Sequence, residues 1–184
     1  MNKPFRIAPL EPPYPADVAA SLARWMPPGA AVEPLALFRT LARHPALSDR
    51  MRPLGAQLLG RGTLPLRDRE LVILRTCARN GAEYEWGVHA SAFAAAAGID
   101  AAALAATRAA TPGAPLDEPD LALLAIVDEL HDGGTVSDAA WTRTDGRFRD
   151  EQRLELLVLV GFYHLISFVA NGARVEREPW AARF

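Results

Sequence analysis

At 184 residues the chain is long enough for one domain with a substantial core. Half of it is hydrophobic, 23% is charged and the net charge is −2 with acids and bases interspersed. That balance excludes a disordered chain and shows no basic face of the kind nucleic acid or an anionic membrane demands. A single cysteine, Cys77, excludes an internal disulfide framework, a dithiol within one chain and a cysteine-rich zinc site. No charged leader followed by an apolar run opens the sequence, so cytoplasmic residence is expected.

Residues 1–15 contain Pro4, Pro9, Pro12, Pro13 and Pro15, a spacing that favours an extended arm over a helix. Phe5, Ile7 and Leu10 would let such an arm lie on apolar surface. A short helix is expected from Ala16 to Met26, stopped by Pro27-Pro28-Gly29. Pro34 suits a first helical position, and Leu35, Phe38, Leu41 and Ala42 recur at helical spacing until Pro45 ends the segment after His44. Ser48 is the expected N-cap of a further helix to about Leu59, kinked or delayed by Pro53.

After Gly60-Arg61-Gly62, a helix from Leu66 to Asn80 puts Glu70, Ile73, Leu74 and Cys77 on one side. Gly81 stands where a left-handed residue closes a helix. A second helix follows from Glu83 to Ala97, then a short one capped by Asp100 over Ala101–Ala110. Beyond a loop with Pro112, Pro115 and Pro119, the pattern predicts a helix over Leu121–His131 ended by Gly133-Gly134, and Ser137 caps a short helix with Trp141. Asp150 caps a long final helix ending at Asn171-Gly172, with Val175 and Trp180 as tail anchors. Its segment Leu154–Ala170 is apolar nearly all round, but it falls short of a membrane span and carries Glu155 and His164, which suits a buried core helix. No period-2 strand pattern occurs, so the fold is expected to be all-α, a single domain with its helical core over 34–172.

The densest ionisable cluster lies in ELVILRTCARNGAEYEWGVH, from Glu70 to His89. Glu85 and His89 are four apart and share a helix face, and Tyr84, Trp86 and Phe93 supply apolar walls. Apolar surroundings raise a carboxyl pKa and lower that of an imidazole, while mutual pairing opposes both shifts. Either way an acid and a base suited to proton transfer are present. Glu70 interrupts an apolar stripe, where a carboxylate needs a partner, and His89 or Arg75 are the candidates. The plainer alternative is an exposed i,i+4 pair, with Glu83 as a first-turn acid favoured by the helix dipole. A metal site from Glu70, Glu85 and His89 lacks the second histidine of a zincin helix, so neither metal nor cofactor is expected. Cys77 reads as a structural thiol and His164 as a hydrogen-bonded core histidine. His44 and His131 fall at expected helix C-termini, where positive charge is well placed.

The string LPLRDRELVILRTCARNGAEYEWGVHA resembles the signature of the carboxymuconolactone decarboxylase family, which includes the alkylhydroperoxidase D-like proteins. RIAPLEPP, LALFRTLARHPAL, VDELHDGG, VSDAAW and LVLVGFYHLISFVANG resemble a longer branch of it. The resemblance implies an all-α, alkylhydroperoxidase D-like multi-helix bundle that assembles as trimers or hexamers, with a pocket around the motif helix, and a homo-oligomer (dimer, trimer or hexamer) is expected. In the peroxidase members a glutamate precedes a Cys-x-x-Cys pair by twelve residues and a histidine by nineteen, positions that Glu70 and His89 match. The two cysteine positions fall on Ala82 and Glu85, so dithiol peroxide chemistry is not expected. The expectation is a cofactor-independent acid–base enzyme, decarboxylase- or isomerase-like, on a small organic acid or lactone, with Glu70, Glu85 and His89 as its machinery. The alternatives are a thiol-dependent hydroperoxide reductase and a non-catalytic helical oligomer that binds a small molecule.

Overall fold

A computed structural model describes residues 5–26 and 32–184. Among these residues the secondary structure is entirely helical: α1 (Ala16–Ala23), α2 (Ala36–Leu41), α3 (Pro45–Gly60), α4 (Leu66–Arg79), α5 (Glu83–Ala92), α6 (Ala101–Arg108), α7 (Glu118–Gly133), α8 (Asp138–Thr142) and α9 (Asp150–Ala173). Pro4 and the Pro27-Pro28-Gly29 stop lie outside the described residues.

The bundle is built around α4, which packs against α7, α9, α5 and α6. Leu71 to Leu74 and Cys77 are all at 0% exposure. Even Arg75 is 1% exposed, so α4 is a core helix on every side rather than a helix with one apolar stripe. The Arg75 guanidinium donates to both carboxylate oxygens of Asp128 at 2.7 and 2.8 Å and to the carbonyls of Thr107 and Ala109 at 3.0 and 2.6 Å. Buried charge of this kind is stable only when every donor is so occupied. Arg75 therefore ties α4 to α6 and α7, and the partner of Glu70 lies elsewhere.

Several boundaries depart from the sequence expectation, each for a local reason. Pro45 does not end a helix; it opens α3 at the position where its missing N–H costs nothing. His44 is then the N-cap rather than a C-terminal cation, its Nδ1 accepting from the Leu47 amide at 3.3 Å. Ser48 is buried inside α3 and accepts from the Trp25 indole at 3.1 Å. Pro119 likewise starts α7, behind Asp117, whose side chain accepts from the Asp120 amide at 2.9 Å. The second motif helix stops at Ala92, and α9 runs past Asn171-Gly172 to Ala173, where Arg174 takes the left-handed conformation (φ 56°).

The proline-rich arm is non-helical over residues 5–15 and is held mainly by polar contacts. Arg39 and Arg43 donate to the carbonyls of Leu10 and Ala8 at 3.0 and 2.7 Å, and the Arg6 amide donates to Ala173 at 2.9 Å. Ile7, expected on apolar surface, is 49% exposed. At the other end, residues after Val175 run back over α5. Arg177 pairs with Glu83, Glu178 accepts from the Tyr84 hydroxyl and the Ala36 amide at 2.7 Å each, and Phe184 packs edge-on against Trp86. The anchors are thus Arg177, Glu178 and Phe184, while the Trp180 side chain is mostly exposed.

By length and composition α9 is the one described helix able to cross a bilayer. Leu156, Leu159, Tyr163, Ile166 and Ala170 are nonetheless buried in the core. Glu155 accepts from the Thr63 amide and hydroxyl at 2.7 and 2.8 Å, closing the loop before α4. These contacts identify α9 as a core helix of the bundle. Its outer side leaves Leu154, Val158, Leu165 and Phe168 exposed.

Candidate functional site

The site forms where the first half of α4, the face of α5 turned inward and the middle of α9 meet. Gly81, at φ 59°, reverses the chain between α4 and α5 and so brings the two motif helices side by side. Glu70 from α4 then faces His89 from α5, with Oε2 2.7 Å from Nδ1. The other Glu70 oxygen accepts from Arg69 Nε and Nη2 at 2.9 and 2.7 Å. On the far side of the imidazole, Nε2 lies 2.9 Å from the hydroxyl of Tyr163 on α9. Arg69, Glu70, His89 and Tyr163 make one continuous chain of hydrogen bonds, with Glu70 at 0%, His89 at 3% and Tyr163 at 2% exposure.

The protonation pattern follows from the environment. Burial alone would push the Glu70 carboxyl up, but its bonds to His89 and Arg69 bring it below the ordinary range, so it is a carboxylate. An acceptor-only carboxylate requires the proton of the neutral ring on Nδ1, which leaves Nε2 as an acceptor. The Tyr163 hydroxyl, pushed far up by burial and then by the charge of Glu85, stays neutral and donates to Nε2.

Glu85 completes the set. Its Oε2 lies 3.9 Å from His89 Nε2, close enough for charge coupling but too long for a hydrogen bond. Its Oε1 is shielded and has no hydrogen-bond partner among the described residues, and the residue is 5% exposed. Burial raises its pKa to about 7 against the opposing influence of His89, with a further push from Glu178. The exposed i,i+4 alternative is therefore overturned, since both members are buried.

The expected wall residues divide. Phe93 lies against His89 with ring centroids 5.0 Å apart. Trp86 is buried against α6 and the C-terminal segment, its indole donating to Thr107 Oγ1 at 3.1 Å and its ring meeting Phe184. The Tyr84 hydroxyl is engaged with Glu178 and the Leu37 amide. Glu83 pairs with Arg177, a more specific role than dipole compensation. Tyr163 was missed by the sequence reading, which considered only its neighbour His164. The available signal was a phenolic hydroxyl inside an apolar helix, a group that needs a partner once buried.

Cys77 is fully buried, and its thiol is pushed far up by burial and then by Glu85. It stays a thiol, not the thiolate that peroxide chemistry requires. Among the described residues no group of three or more His, Cys, Asp or Glu side chains is arranged to hold a metal ion.

Comparison with known proteins gives the class. Residues 45–127 match the carboxymuconolactone decarboxylase family, so the family resemblance of the motif is shown over the segment that supplies Glu70, Glu85 and His89. An uncharacterized peroxidase-related protein from Silicibacter sp. TM1040 has the same fold, with TM-score 0.79, 17% identity, and coverage of 97% of this chain and 96% of that one. A peroxidase-related protein with an alkylhydroperoxidase AhpD core from Ralstonia eutropha JMP134 gives TM-score 0.79 at 17% identity over 96% and 95%. The debrominase Bmp8 in complex with 2,3,4-tribromopyrrole gives TM-score 0.74 at 13% identity over 98% and 95%. No curated protein matches the sequence. The fold is therefore the AhpD-like all-α fold.

Proposed function

We propose that this chain is a cofactor-independent acid–base enzyme, decarboxylase- or isomerase-like, acting on a small organic acid or lactone. The observation that carries the reading is the buried Glu85 carboxyl at about 7 beside an imidazole fixed by Glu70 and Tyr163. A carboxyl with that proton affinity is populated in both forms near neutral pH, the condition under which one group gives and takes a proton most effectively. Glu70 sets the tautomer of His89, and the Tyr163 hydroxyl relays a proton to or from Nε2. In a decarboxylation the carboxylate leaves as carbon dioxide, the electrons of the broken bond pass into the conjugated carbonyl, and the protonated Glu85 carboxyl gives its proton to the enolate carbon and becomes a carboxylate.

The test is turnover of a panel of carboxymuconolactone-like compounds. Glu85→Gln and His89→Ala are each expected to lower kcat by about 10²- to 10⁴-fold. If the wild-type protein turns over no member of the panel and no member raises its Tm, the reading is wrong.

We further propose that the chain functions as a homo-oligomer. The support is the row of exposed apolar side chains on α9, from Leu154 to Phe168.

A further inference from the structure

Away from the acid–base site, two imidazoles meet between α7 and α9. His131 lies in the last turn of α7 and His164 in the middle of α9. Their ring centroids are 5.2 Å apart, with the planes inclined at 41°. His131 Nδ1 and His164 Nε2 are each shielded from solvent, and neither has a hydrogen-bond partner among the described residues. A buried polar atom left unpaired is costly, and here two such atoms stand on adjacent rings.

We propose that His131 and His164 form a two-imidazole site for a divalent transition metal ion of the zinc, nickel or copper type. Nitrogen ligands stand about 2.0–2.1 Å from such an ion, so two imidazoles at a tetrahedral angle have ring centroids about 5 Å apart. The observed spacing satisfies that requirement without movement of either helix. Half a turn of either ring exchanges a nitrogen for a carbon and leaves the centroid in place, so the spacing belongs to the backbones of α7 and α9. Burial and the neighbouring His131 hold the His164 ring below its ordinary pKa, which keeps its lone pair free at neutral pH. Both rings are only partly buried, so their outward sides leave the remaining coordination positions to water. The site is separate from Glu70, Glu85 and His89 and is independent of the function proposed for them.

Calorimetric titration of the metal-free full-length protein with zinc chloride at pH 7.5 tests the assignment. The expected result is saturable binding of about one ion per chain, at least tenfold weaker in His131→Ala and in His164→Ala and unchanged in His44→Ala. Binding is also expected to weaken at pH 5.5, where protons compete for the rings. A second reading on the wild type uses copper(II), whose electron paramagnetic resonance signal should carry splitting from two imidazole nitrogens. Absence of saturable zinc binding below ~1 mM, binding indifferent to both substitutions, or a copper signal without two nitrogens overturns the proposal.

Discussion

Glu85 holds its proton to about 7 because it is buried with one oxygen unpartnered, and this bears on folding as well as on proton transfer. In the unfolded chain the same carboxyl ionises near its ordinary 4.5. Between these values the unfolded state releases a proton that the folded state keeps, so raising the pH favours unfolding. The loss develops from about pH 4.5 to about 7, levels off above, and is on the order of 3 kcal/mol. Glu70 has the opposite sign: its folded pKa is depressed, so the stability it contributes is lost as pH falls below the ordinary carboxylate range. Denaturant unfolding at pH 5 and pH 8 should therefore show wild type losing stability relative to Glu85→Gln, and parallel behaviour of the two would refute the charge assignment. Tyr163→Phe should cost about 1–2 kcal/mol by leaving His89 Nε2 unpaired, and any turnover should fall with it. Of this set, Glu70, Glu85 and His89 were legible in the sequence because helical spacing and a three-residue reversal place them without knowledge of the rest. Tyr163 comes from a helix 74 residues further on than His89, and no local pattern encodes that meeting.

Among the helices, α4 shows where local reasoning gives out. An arginine in an amphipathic pattern reads as a solvated edge, yet Arg75 is enclosed because α6 and α7 bring Thr107, Ala109 and Asp128 to it. Arg75→Ala should destabilise the fold by about 3 kcal/mol, because the carbonyls of Thr107 and Ala109 lose their donor and the partly exposed Asp128 is left with Arg79 at 3.5 Å. Urea unfolding measures it directly; a loss under 1 kcal/mol would mean that the network contributes little. The misread boundaries at Pro45 and Pro119 share one cause. Proline both ends and begins helices, and the sequence alone does not say which residue before it turns its side chain onto the following amides. For α3 that residue is His44, so His44→Ala should cost about 1 kcal/mol, the usual value for losing an N-cap.

Across the whole molecule, the C-terminal segment closes the bundle by lying over α5. A Cβ built on Gly87 would stand 2.2 Å from the Ala182 carbonyl oxygen, so the tail fits only against glycine. Helix propensity favours Gly87→Ala by about 1 kcal/mol, whereas the steric conflict predicts a net loss of roughly 1–3 kcal/mol. The loss should appear as a lower Tm with altered Trp86 fluorescence as Phe184 shifts, and a stabilised variant would show that the tail does not rest there. Light scattering should give a mass above the 19.9 kDa of one chain if the proposed homo-oligomer forms, and a clean monomer would refute that proposal. The chain's one cysteine lies at 0% exposure on the helix at the centre of the bundle. A thiol-reactive dye added to the native protein can therefore react only with molecules in which α4 has come away from its neighbours. Cys77 makes the protein its own clock: each labelled chain records one opening, and the rate of labelling reads how often the bundle breathes.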